Sequence, residues 1–320
     1  MSNGHIVCRN PDAERIIPRM ARLLRDAYGW SVDAAPRYDA DFNYFLGYFE
    51  LDHYLAFTAT PWAAYLTHIE TNAPDKAALW WYAAEHASLR VVMNAAQLAQ
   101  VGQYGLTVQP PLPVETERFT ITDRPAHTTP LVGVSGYTYA TGRKGEQLLC
   151  DVLKLPGAAN VTWTASGRGW PVPTLAYRWG EMPTFYQNLD VYVCPSLLEG
   201  GPLGTLEALA CGVPVVIPDS VGLHPELPTL PGIYRYPTGD AAGLADALAL
   251  ALAERHNIDR AALREVVTAR HGVAAWVAAH ATMWETPRPA QAWHGRGGFY
   301  VVAFGEPARD CARRLLASLA

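Results

Sequence analysis

Short apolar runs alternate with amphipathic stretches along nearly the whole chain, and this alternation restricts the fold more than any other feature. Candidate strands are His5–Cys8, Ser31–Ala34, Tyr44–Phe49, Ala63–His68, Arg90–Met93 and Leu106–Val108. Between them, Asp12–Tyr28 has helical periodicity, with Ile16, Ile17, Met20, Leu23, Leu24 and Ala27 on one side. Pro18 starts or kinks that helix. Asp75–Ala87 and Ala95–Gln103 read as helices. A proline-rich polar stretch, residues 109–130, reads as a linker.

A second set follows it. Strands are expected at Leu131–Val134, Val161–Thr164, Val191–Cys194 and Pro214–Pro218. Helices are expected at Gly145–Leu153, Met182–Asn188, Thr205–Ala210, Ala241–Glu254, 258–270 and 273–285. The sequence thus predicts an α/β chain with domains over 1–125 and 126–286, and a strand–helix tail over 287–320 that completes the first sheet or begins a further unit.

Composition narrows the function classes. The chain has 320 residues, half of them hydrophobic, and a formal charge of −5. It is globular, and broad nucleic-acid binding, which needs excess Lys and Arg, is not expected. No apolar run reaches the roughly 20 residues of a membrane span, and MSNGHIVCRN lacks a signal-peptide pattern. The five cysteines form no CxxC, so neither a zinc site nor a disulfide framework is suggested. The expected location is the cytoplasm.

The most informative stretch is LLEGGPLGTLEALACGVPVV, residues 197–216. Gly200, Gly201 and Pro202 force a turn, after which the amides of Leu203, Gly204 and Thr205 are the unpaired donors of a helix start. Such a start attracts an anion, phosphate above all. Glycine at 201 and 204 would let a ligand approach the backbone. Glu199 lies just outside the helix and Glu207 about one turn inside, so a ligand with a central phosphate and hydroxyls at both ends would fit. Taken as an isolated pair, the two acids read more readily as a solvated loop carboxylate and a dipole-favoured first-turn one than as ligand-binding groups.

They are not isolated. Phe185–Val216 resembles the C-terminal domain of retaining glycosyltransferases of family 4, which have the two-domain GT-B fold. Glu199, Gly200, Leu206, Glu207, Ala208, Gly212, Pro214, Val215 and Val216 carry the match, which extends over about residues 130–285. The resemblance implies two Rossmann-like domains facing a cleft, the N-terminal one reduced. It implies that Glu199 holds donor-sugar hydroxyls, that Glu207 holds the ribose, and that the Leu203 and Gly204 amides contact the diphosphate or sugar. In TGRKG, residues 141–145, Lys144 and Gly145 match the diphosphate clamp; the family's separate upstream arginine falls here at Gly136 or Tyr137, so either Arg143 compensates or the donor is held more weakly. Trp179 lies where relatives place the nucleotide base.

The first domain matches less well. Its first strand leads into VCRNPDAERI, without the glycine-rich loop of relatives, so Asn10 and neighbouring amides substitute or the contact is lost. YLTHIET, residues 65–71, resembles the strand whose terminal histidine, here His68, lies beside the donor sugar. Arg15, Arg19, Arg22 and Arg25 share a helix face that is either solvated or a peripheral membrane contact. The expected activity is metal-independent, retaining transfer of a sugar from a UDP- or GDP-sugar to a glycan, lipid or small-molecule acceptor, with no cofactor. His68, Glu199 and Lys144 are the catalytic candidates. The remaining donor-site candidates are Arg143, Gly145, Gly200, Gly201, Leu203, Gly204, Thr205, Glu207 and Trp179. The alternatives are a catalytically weak sugar-nucleotide or glycan-binding subunit, or a sugar-nucleotide epimerase of the same fold.

Overall fold

The structure, a computed structural model, describes residues 3–54, 61–123, 125 and 127–285. The tail over 287–320 lies outside the described residues.

The first unit consists of β1 (Gly4–Val7), α1 (Ile16–Tyr28), β2 (Ser31–Asp33), β3 (Phe42–Phe45), β4 (Trp62–Leu66), α2 (Pro74–His86), β5 (Leu89–Val92), α3 (Ala95–Val101) and β6 (Thr107–Val108). Its six-stranded sheet runs β2-β1-β3-β4-β5-β6, with every described pairing parallel. β1, β3, β4 and β5 are buried along their whole lengths, as expected when helices cover both faces of a parallel sheet. The third strand is shorter than expected: Gly47, at φ 115°, breaks it, and Tyr48–His53 turns into a 3₁₀ helix.

The second unit consists of β7 (Leu131–Tyr137), α4 (Glu146–Val152), β8 (Thr162–Arg168), β9 (Thr174–Leu175), α5 (Met182–Gln187), β10 (Val191–Val193), α6 (Leu203–Ala210), β11 (Val215–Pro218), β12 (Ile233–Tyr236), α7 (Ala241–Glu254), α8 (Arg260–Thr268) and α9 (Val273–Glu285). Its sheet is also six-stranded and parallel, in the order β12-β11-β10-β7-β8-β9. Asp240 and Asp259 cap α7 and α8 through their carboxylates, and Asn94 caps α3.

Residues 109–130 are not a loose linker. Leu112, Val114 and Phe119 are buried in the same hydrophobic cluster as residues of both sheets. The Arg264 guanidinium on α8 donates to the Thr116 and Phe119 carbonyls, and Arg260 donates to that of Thr122. Proline removes N–H donors and so suits a segment that packs without a ladder. α9 returns to the first unit: the Tyr28 hydroxyl donates to the Val277 carbonyl, and Tyr44 meets the buried His280 at 3.3 Å. The core is therefore continuous across the cleft.

The arginine face is also not as expected. Arg15 is exposed, but Arg22 donates to the Pro11 and Ala13 carbonyls, and Arg19 is 8% exposed, turned toward the second unit. Its four guanidiniums do not form one outward-facing stripe, and this removes the geometric basis for the membrane contact. No described helix is long and apolar enough to cross a membrane.

Candidate active site

In an open parallel sheet, ligands bind beyond the carboxyl ends of strands at the point where strand order reverses. In the second sheet that point lies between β7 and β10. The loops leaving these two strands carry TGRKG and the Glu199 turn. They are bonded to one another: the Leu197 and Leu198 amides donate to the Arg143 carbonyl at 2.8 and 3.2 Å. Gly145, at φ 75°, lets the first loop press on the Pro195 carbonyl, which a Cβ would strike.

This zipper fixes a charge cluster. Lys144 Nζ donates to Glu199 Oε1, which also accepts from Ser196 Oγ at 3.0 Å. Arg143 Nη1 lies 3.5 Å from Glu199 Oε2. Burial opposes ionisation of Glu199, but the two cations outweigh it and hold the carboxyl at about 2. Across the cleft, just beyond β4, His68 Nε2 lies 3.2 Å from Glu70 Oε1. Glu70 also accepts from Lys76 Nζ at 2.7 Å and stands 3.3 Å from Arg143 Nε, at ion-pair distance but without hydrogen-bond geometry. Burial and the Arg143 charge lower the His68 pKa, against the opposing pull of Glu199 and Glu70. A neutral His68 donating Nε2–H to Glu70 keeps a free lone pair on Nδ1.

Glu207 ends in a different setting. It is 6% exposed and accepts from the Tyr186 hydroxyl at 2.9 Å. Ser135 Oγ bonds the hydroxyls of both Tyr186 and Tyr192. Burial raises the Glu207 carboxyl to about 7, only partly offset by Arg19 and the Tyr186 bond. Arg19 lies over Trp179, with its guanidinium carbon 2.9 Å from the ring centroid.

The structure brings His68, Arg143, Lys144 and Glu199 together, and it places Glu207, Trp179 and Arg19 at the other end of the α6 start. Three details depart from expectation. α6 begins at Leu203, two residues early, and the Leu203 and Thr205 amides are taken by the Gly201 and Pro202 carbonyls at 2.9 and 3.0 Å. The Thr205 side chain does not face the cleft: it is fully buried against His224 at 3.0 Å. The glycines also serve packing. A Cβ at Gly201 would lie 2.5 Å from Leu112, and one at Gly204 would lie 2.6 Å from the Tyr192 hydroxyl, while Gly200 sits against Met93 and the His68 backbone. Gly204 retains a first-turn amide without an intrahelical acceptor.

Asn10 adopts φ 52°, so asparagine takes the left-handed position in the β1–α1 loop that glycine takes elsewhere. Glu70, Arg19 and Tyr186 were missed from the sequence. Glu70 falls two residues past the histidine, within YLTHIET, which is the signal that could have found it. Arg19 and Tyr186 carry no local signal. Among the described residues, no three His, Cys, Asp or Glu side chains converge as a metal site.

This geometry agrees with comparison to known proteins. Residues 164–254 match the family model described as glycosyl transferases group 1. That stretch, from within β8 to the end of α7, resembles group 1 glycosyl transferases. A search of curated proteins finds no match. Among solved structures, sucrose-phosphate synthase from Thermosynechococcus elongatus is similar at TM-score 0.71 and 16% identity, covering 89% of this chain and 98% of that one. HepE from Anabaena, in complex with UDP and glucose, is similar at TM-score 0.70 and 14% identity, covering 90% and 100%. Trehalose-6-phosphate synthase is similar at TM-score 0.59 and 13% identity, covering 79% and 73%. These likenesses establish the GT-B fold for this chain.

Proposed function

We propose that the protein is a glycosyltransferase that moves a sugar from a nucleoside diphosphate donor to a hydroxyl acceptor with retention at the anomeric carbon and without a metal. The observation that carries the reading is the Lys144–Glu199–Arg143 cluster at the strand-order switch, facing His68 and Glu70 across the cleft. The structural neighbour crystallised with UDP and glucose supports a nucleotide-sugar donor.

Lys144 and Arg143 are fixed by Glu199 before any ligand enters. A diphosphate reaching the switch point meets two oriented cations and the Gly204 amide, and they stabilise the charge that develops as the glycosidic C–O bond breaks. Glu199, kept ionised by its neighbours, accepts from sugar hydroxyls. Glu207 accepts from the ribose hydroxyls. The acceptor hydroxyl attacks from the face the diphosphate leaves, and a phosphate oxygen takes its proton, so no side chain need form a covalent adduct. His68, neutral and oriented by Glu70, stands beside the reacting sugar. Closure of the two units over the donor limits hydrolysis.

The test is incubation of the purified protein with UDP-, GDP- and ADP-sugars, with and without acceptors, while nucleotide release is measured. Proton NMR of the first product reads the anomeric configuration, and EDTA tests metal dependence. Silence with every donor, together with no nucleotide binding, removes the proposal. Nucleotide release without glycoside formation indicates the epimerase chemistry instead.

A further inference from the structure

Arg19 is the one candidate-site cation that the first unit sends to the nucleoside end of the cleft. It sits on α1, is 92% withdrawn from solvent, and lies on the indole of Trp179 from the second unit. Its Nε has no hydrogen-bond partner among the described residues. Burying a guanidinium without acceptors is costly, so such a group points to an acceptor supplied from outside. Glu207 and Glu115 exert an attractive field on it, while Arg118 and Arg22 oppose it. Burial lowers its pKa to about 10, which leaves it cationic at neutral pH.

We propose that Arg19 reads the donor's base and selects nucleotides whose base presents oxo acceptors, uracil or guanine, over adenine. This rests on the reading that Glu207 holds the ribose. With phosphate at Lys144 and Arg143 and ribose at Glu207, the base extends to the far side of the α6 start, where Arg19 lies. Contact with the Trp179 ring holds the guanidinium in place, so its N–H fork is preset before a base arrives. A guanidinium only donates. Uracil offers O2 and O4 and guanine O6 and N7, whereas adenine sets an amino donor beside N7. One such edge contact discriminates by about tenfold or more.

The experiment is calorimetric titration of the full-length protein with UDP, GDP and ADP, for wild type, Arg19→Met, Arg19→Lys and Lys144→Ala. Wild type is expected to bind UDP or GDP at least about tenfold more tightly than ADP. Arg19→Met, which keeps apolar contact with the indole, is expected to shrink that gap below about threefold through loss of oxo-base affinity, with ADP unchanged. Arg19→Lys is expected to fall between, since it keeps the charge and loses the fork. Unchanged discrimination in both Arg19 variants, wild-type preference for ADP, or tighter binding of all three nucleotides to Arg19→Met overturns the proposal while leaving the donor site intact. Absence of all binding to wild type, or affinities indifferent to Lys144→Ala, removes the donor site and the proposal together.

Discussion

Glu199 and Glu207 flank the same helix start, eight residues apart, and both are withdrawn from solvent. Their protonation differs by about five units: one carboxyl sits at about 2, the other at about 7. Desolvation pushes both upward. At Glu199, Lys144 in direct contact and Arg143 close by overcome it. At Glu207 the nearest partners are a neutral phenol and an arginine committed to an indole face. The first glutamate is thus an anchor that preorganises cations. The second, on the proposed reading, is an acceptor whose charge is completed by its ligand. Residue type and helix position do not separate the two; the partners do.

The largest effect is expected from dismantling the anchor. Lys144→Ala removes the contact cation and should lower kcat/KM by about 100- to 1,000-fold. Steady-state kinetics with the preferred donor measures this, and a loss under tenfold would show that Arg143 alone can hold a diphosphate.

Next is the pH behaviour of the acceptor. Ligand hydroxyls favour the carboxylate of Glu207, so nucleotide affinity should climb from pH 5.5 to about 7, by up to about tenfold per unit, and level off above. Glu207→Gln should flatten that curve. The stability signs are opposite at the two sites. The raised Glu207 contributes stability that is full below pH 4.5 and lost as pH rises through about 7, an effect on the order of 3 kcal/mol. The lowered Glu199 contributes stability that is present above pH 4.5 and lost as pH falls toward 2. Urea melts of the two glutamine variants between pH 3 and 8 would resolve the two slopes.

Gly204→Ala should cost about 1–3 kcal/mol, because the new methyl must displace the Tyr192 and Ser135 hydroxyls behind Glu207. Thermal melts read this, and a wild-type Tm would show that the hydroxyl cluster is slack. The smallest effect is expected at the β1–α1 loop. Asn10→Ala should cost about 1 kcal/mol for its left-handed backbone, and Asn10→Gly close to nothing.

What was legible in the sequence follows from how far each interaction reaches. Helix and strand periodicities and the turn chemistry around Gly145 and Gly200 act over a few residues, so both sheets and the Lys144–Glu199 partners could be placed. β12 was missed because IYRY follows a proline–glycine turn and carries only four residues. The proline-rich stretch was misjudged because proline reports missing ladder bonds, not missing packing, and Leu112, Val114 and Phe119 pack fully. Arg19 looked like one member of a solvated stripe. Its burial depends on Trp179, 160 positions away in the chain, and no local pattern encodes that contact.

Among the described residues the chain passes between the two halves twice, outward before β7 and back before α9, and the passages touch: the Leu112 amide donates to His271 Nδ1 at 3.0 Å. Burial holds that imidazole at about 4, so it stays an acceptor through the physiological range. Two chain segments tied at a shared point would favour a door-hinge motion over a swivel. On the proposed reading, an opening that admits a donor would then bring the same edges back into register on closing.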